Sequence, residues 1–363
     1  MMLIINNILF NLITSKEKRL VLISFYFSRR TMTLEQYNAI QVTTIADLPL
    51  TEADIFNPEG SPMLVEILKS FDFYYKTLAT ESAHYGIAQH YILISSNTTK
   101  NASAGTIDEK YVIKLNVGLI NWLISKFQLG TPINLNADLE ALDKLNKKLD
   151  ISINEFYYQL ASHFTFYHEL GHLIQQSDFL NEGIQERSLN NQGGFNIEKH
   201  ILEYDADCYS SLCLANHTVD YYERLFKDNL DKEVIEALTI LSGTVICQYL
   251  LTFVNDIENL YYRERSHPHP AIRLLYSLMT FCTYLKDAWN RKGVNIHFET
   301  IFMNVFYESI NLEKDFLNTD NSAKLLEIIK KERPALLRYI GELQTEAHGR
   351  EDLAIYKRNQ TLL

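Results

Sequence analysis

Residues 152–176 read SINEFYYQLASHFTFYHELGHLIQQ. Ser152 followed three residues later by Glu155 is a capping-box pattern, in which the serine accepts from the amide at the third helical position and the glutamate reaches back to the cap amide. The pattern predicts a helix from Ser152 to about Gln176. That helix carries His168-Glu169-Leu170-Gly171-His172, an HExxH motif. Positions i and i+4 share a helix face, so His168 and His172 can bind one metal ion together. Glu169 lies about 100° round the helix from His168 and can address a metal-bound water without being a ligand. This is the arrangement in which two histidines hold Zn²⁺ and the glutamate is the general base.

A catalytic zinc usually has three protein ligands and one open position. Downstream of a polar stretch, 177–195, the sequence IEKHILEYDAD (197–207) offers a third. Glu203 and Asp207 are again i and i+4 on a predicted helix. Glu203 can ligate the metal. Asp207, one turn on, can accept the free ring N–H of a metal-bound histidine, a contact that fixes the tautomer and raises ligand basicity. His200, three residues before Glu203, competes for the third position. A further cluster, SHPHPAIR (266–273), sets two histidines among two prolines at a rigid corner. His267 or Arg273 could there stabilise an oxyanion, or could simply belong to a helix corner.

Composition sets the frame for these motifs. The chain has 363 residues, 47% of them hydrophobic, enough to bury a sizeable core. Its 13 Gly and 7 Pro are few, which favours a mostly helical protein. With 34 basic and 45 acidic residues the formal charge is −11, a poor match to nucleic acid, whose binding depends on a basic footprint. The four cysteines, Cys208, Cys213, Cys247 and Cys282, include no CxxC pair. A disulfide framework and a cysteine zinc site are both disfavoured. The 22 Tyr and 19 Phe are expected to fill core.

Elsewhere the periodicity predicts a helix over 62–80 and short strands at 91–95 (YILIS) and 110–117 (KYVIKLNV), the latter alternating by residue. The polar stretch 96–109 reads as a loop. The two strands suggest a small sheet, as a hairpin with a long connection, and 110–117 suits either an edge strand for an extended substrate or an interior strand. Helices are expected over 118–128, 137–149, 196–216, 218–229, 232–262, 270–290, 296–311 and 320–346. No repeat or linker is evident, so one catalytic domain is expected over 32–363.

Two stretches raise the question of a membrane. Residues 1–31 carry two short apolar runs around Lys16–Arg19, without a basic region ahead of the first run or a small-residue cleavage site, and neither run reaches the ~20 residues of a span. They read as a dispensable extension, with a weak leader as the rival. Residues 237–254 (ALTILSGTVICQYLLTFV) are uncharged but dotted with Thr, Ser, Gln and Gly, and read as a buried helix rather than a membrane span.

HELGH followed by EYDAD resembles the HExxH…ExxAD pattern of the gluzincin metallopeptidases, and SHPHPAIR is similar to the HP…R element of the HtpX heat-shock and CAAX-processing peptidases. The resemblance covers about 150–280. It implies a mainly α, zincin-like metallopeptidase domain with a small β-sheet, His168, His172 and Glu203 as ligands of one Zn²⁺ per chain, Glu169 as base, Asp207 behind the ligands, and His267 or Arg273 near the reacting carbonyl. Those relatives have several clear membrane spans, which this chain lacks. The layout is also similar to that of the Lit-type phage-exclusion peptidases. The expectation is a cytoplasmic zinc endopeptidase acting on a protein or peptide, with membrane association as a rival. A zinc-stabilised sensor without turnover is the alternative of another class.

Overall fold

The computed structural model describes residues 32–128, 140–177, 194–227, 229–252, 259–313 and 320–361. These are mainly helical with one three-stranded sheet, as expected. The extension 1–31 and most of the predicted loop 177–195 lie outside the described residues. Contacts divide the chain into two compact units. One unit comprises Met1–Lys126, Thr165–Leu189 and Gly349–Leu363, the other Phe127–Phe164 and Asn190–His348.

The first unit opens with α1 (Leu34–Asp47), started by Thr33, which forms a capping box with Gln36. Helix α2 (Leu64–His84) follows. Its buried face carries Phe71, Phe73 and Tyr74, and the ring of Tyr37 from α1 meets Phe71 edge-on at 4.8 Å. Strands β1 (His90–Ser95) and β3 (Lys110–Asn116) form as expected, but they pair in parallel. The stretch read as a loop contains a third strand, β2 (Ala102–Ile107), antiparallel to β3 in the order β1-β3-β2. The sequence concealed it because ASAGTI has small residues and no apolar alternation. What makes it a strand is the turn at Asp108 and Glu109, with φ of 48° and 63°, which folds it back on β3. With partners on both sides, β3 is an interior strand and not the edge strand that 110–117 also suggested. The outer edge of β1 is covered by residues 54–56, where the Phe56 amide donates to Ile94 O and Ser96 donates to Asp54 O.

β3 runs directly into α3 (Val117–Leu123), continued by a π-helical turn to Gln128. Asn116, placed by strand alternation on the outer face, is buried. It accepts from Ser95 Oγ and donates to Thr99 Oγ1, each at 2.8 Å. Gly118 sits so close to the 97–99 loop that a Cβ there would collide with the backbone oxygen of Thr98. The second half of α5 (Ile153–Gln176) and the closing helix α11 (Ala354–Thr361) complete this unit. Phe166 of α5 stacks on Tyr74 at 5.2 Å and meets Phe73 edge-on, so the turn just before the HExxH motif is braced by aromatic packing against α2.

The second unit contains α4 (Glu140–Lys148), the first half of α5, α6 (Ile197–Phe226), α7 (Lys232–Leu251), α8 (Pro270–Arg291), α9 (Phe298–Leu312) and α10 (Asn321–Ala347). The two helices expected over 196–216 and 218–229 are one 30-residue helix, α6. No Gly or Pro interrupts it, and its centre is buried. There Thr218 donates to Leu214 O, and His217 lies 5.3 Å from the ring of His163. Helix α7 ends at Leu251 rather than near 262. It is the one helix among the described residues long and apolar enough to cross a membrane, and 94% of that window is buried within the protein. Its polar residues are accommodated locally. Thr239, Ser242 and Thr244 each donate to the carbonyl four residues back. Gly243 allows close approach to α9, since a Cβ would lie 2.6 Å from a methyl of Val305.

Candidate metal centre

α5 begins as its sequence predicts, with the Glu155 amide donating to Ser152 Oγ at 3.1 Å. Leu170, Leu173 and Ile174 are fully buried, and this packing orients the rest of the turn. His168 and His172, one turn apart, are partly buried, and their Nε2 atoms lie 3.3 Å apart. His172 Nδ1 lies 3.0 Å from Gln175 Oε1. An amide oxygen only accepts, so this hydrogen bond places the hydrogen on Nδ1, and in the neutral ring Nε2 is then the acceptor nitrogen. Glu169, between the histidines, is 6% exposed.

α6 starts at Asn196, whose side chain accepts from the Glu198 and Lys199 amides. Glu203 and Asp207 follow on one face. α8 starts at the proline corner. His269 is its N-cap, with Nδ1 accepting from the Ala271 amide at 3.0 Å, and Pro270 occupies the first turn, where its missing N–H costs nothing. This start sets Arg273 and Tyr276, one turn apart, toward α6. Arg273 Nε and Nη2 donate to the two oxygens of Asp207, each at 2.8 Å, and Tyr276 donates to Asp207 at 2.7 Å. Arg273 Nη1 lies 3.3 Å from Glu203. Burial opposes the guanidinium's charge, but the Asp207 and Glu203 carboxylates outweigh it, and the side chain is held charged even more firmly than usual. Burial and the Asp207 charge both push the Tyr276 hydroxyl well above its ordinary range.

The structure thus sets Arg273 on both acidic side chains, as the group that balances and orients them. Asp207, read from the sequence as an acceptor for a ring N–H, receives Arg273 and Tyr276. His267 is exposed, with Nε2 3.5 Å from Glu203. His200 is buried, with Nε2 2.8 Å from Arg265 O and Nδ1 2.7 Å from the hydroxyl of Tyr339. Both ring nitrogens are engaged, which removes it from the competition with Glu203. Gln175 and Tyr276 were not singled out in the sequence. Each lies three residues from one that was, His172 and Arg273, and this helical spacing is the signal that could have found them.

One ligand atom each from His168, His172 and Glu203 lie within 4.8 Å of one another, and no other group of three or more His, Cys, Asp or Glu meets this criterion among the described residues. The set could hold a metal ion. Two imidazole nitrogens each about 2.0–2.1 Å from one tetrahedral ion stand about 3.3 Å apart, which is the separation of this pair. Comparison with known protein families, with curated proteins and with solved structures finds no match to this chain.

Proposed function

We propose that this protein is a zinc-dependent endopeptidase. The reading is carried by the convergence of His168, His172 and Glu203 with Glu169 beside the histidine pair on the same helix. The donor set of two imidazoles and one carboxylate is that of a catalytic zinc with an open position, rather than a closed structural site. A zinc ion held there supplies a Lewis acid that polarises a peptide carbonyl and lowers the pKa of a water.

The chain's own groups do the rest. A Glu169 carboxylate oxygen takes the proton of the attacking water and delivers it to the leaving amine. Gln175 accepts from His172 Nδ1, which sets the tautomer that turns Nε2 toward the metal position. Asp207 anchors Arg273, and Arg273 holds the Glu203 carboxylate. His267, exposed beside Glu203, is the group of the proline corner open to a substrate. The acidic composition argues for a protein or peptide substrate over nucleic acid, and four buried free thiols favour a reducing, cytoplasmic setting.

The test is a pair of measurements on the purified chain. Metal analysis is expected to find one zinc per chain, lost on replacing His168 and His172. A broad peptide library is expected to be cleaved by the parent and not by Glu169→Gln, which keeps its zinc. Equal cleavage by the variant would sink the mechanism. Bound zinc without cleavage by either would favour the non-catalytic alternative.

A further inference from the structure

Lysine is almost never fully buried unless it is paired. Lys357, on α11, is 1% exposed. Its ammonium lies 2.8 Å from Ile174 O, 3.3 Å from Gln175 O and 2.6 Å from Ser177 O, with Ser177 Oγ at 3.4 Å. These carbonyls lie at the end of α5, where Ile174 O also accepts from the Ser177 amide and hydroxyl, and they form the negative end of its dipole. Three donors of one ammonium meet three such acceptors. Tyr111 of β3 donates to the neighbouring Gln176 O at 3.3 Å. The last turn of the HExxH helix is therefore closed locally by Ser177 and, from outside, by a residue 180 positions further along the chain.

α11 is itself held firmly. Leu353 and Ala354 are buried, and Arg358, next to Lys357, acts electrostatically on the buried carboxylate of Glu81 in α2. The turn that Lys357 closes carries Gln175, whose side chain accepts from His172 Nδ1 while its main-chain oxygen faces the ammonium. Helix ends fray unless they are tied down. A frayed last turn would release Gln175 from His172.

We propose that Lys357 is a positioning residue for the metal centre: through Gln175 it holds His172 ready to bind, so the closing segment of the chain sets metal affinity. The proposal rests on the zinc reading above. It differs from a plain structural cap in one respect, namely that the effect of Lys357 must pass through Gln175.

The experiment is a double-mutant cycle in zinc affinity on the full chain, read by competition with a chromophoric chelator, with circular dichroism and thermal unfolding without metal to confirm folding. Partners behind a metal ligand are worth about 10–100-fold in affinity. Lys357→Met and Gln175→Ala are each expected to weaken zinc about tenfold, and the double variant no further than either alone, because the two act in series. Should Lys357→Met fail to fold, Lys357→Arg carries the same cycle. It keeps the charge, but its planar fork does not serve three carbonyls as an ammonium does, so a smaller loss with the same non-additivity is expected. A folded Lys357 variant with parental zinc affinity, or losses that multiply in the double variant, would overturn the positioning role alone. A parent chain that takes up no zinc would overturn the metal reading and this role with it.

Discussion

The two halves of the candidate centre are built in opposite ways. The α5 half presents two imidazole nitrogens facing each other at 3.3 Å, with one oriented by a neutral amide. Two ligand nitrogens at this separation leave a gap suited to a cation. The α6–α8 half is a closed knot of charge, with Arg273 bidentate on a fully buried Asp207, Tyr276 on the same carboxylate, and Glu203 at its rim. On the proposed reading, one half binds and the other stays put. The difference predicts that damage to the first shows in chemistry and metal affinity, and damage to the second in stability.

The strongest test of that division is Glu169→Gln. It removes the proposed base, with an expected loss of 10²–10⁴-fold in turnover, as is typical of a general base. Its unfolding midpoint should match that of the parent. A comparable fall in stability would break the comparison.

Asp207→Ala tests the other half. It leaves the guanidinium of Arg273 without its main partner, and the loss expected for breaking a buried pair is about 3–5 kcal/mol, measured by urea unfolding of the metal-free chain. A loss below about 1 kcal/mol would mean the knot is not the anchor described.

Three buried titratable groups extend the comparison to each unit taken by itself. Burial, only partly offset by Arg358, raises Glu81 in the first unit to about 7. The folded chain then keeps a proton that the unfolded chain releases, so stability falls as pH rises from the ordinary glutamate value toward 7. In the second unit burial lowers His217 to about 3, and burial with the His217 charge lowers His163 well below its usual value. Here the unfolded chain takes up the proton first, so stability is lost as pH falls below the ordinary histidine range. Glu81→Gln is expected to remove a slope of about 3 kcal/mol across its window while leaving the acid side unchanged. Unfolding curves from pH 4 to 8 would decide it.

The smallest effects concern packing. Gly243→Ala meets a movable methyl of Val305, for which about 1–3 kcal/mol is expected. Gly118→Ala meets a backbone oxygen of Thr98, which yields less readily, so its loss should be the larger of the two. The reverse order would show that the 97–99 loop is free to shift.

The same contrast governs how much could be read without coordinates. The histidine pair, Glu169 and the start of α5 at Ser152 were legible because they lie within one helix, where spacing converts directly to geometry. Glu203 and Asp207 were legible as an i, i+4 acidic pair, and α2, β1, β3 and α8 as periodic runs. β2 was not, because small residues form a strand there only when β3 offers a partner. The continuity of α6 through Asn216 was missed because its centre is polar in sequence, and burial against α5 is what keeps it helical. Arg273 was noticed, but its role was not legible. A cation 66 residues from Asp207 becomes a carboxylate anchor only through packing.

The sequence by itself determined the helical class and the placement of His168, Glu169 and His172 on one helix, since these follow from local periodicity along one helix. Only the tertiary structure decided that His200 is engaged by Tyr339 and Arg265, that Arg273 lies against the acidic side chains of α6, and that Lys357 meets the carbonyls at the end of the HExxH helix. Each of these joins residues distant in the chain, and no spacing rule reaches them, because what brings them together is the burial of apolar faces and the need of each buried charge for a partner.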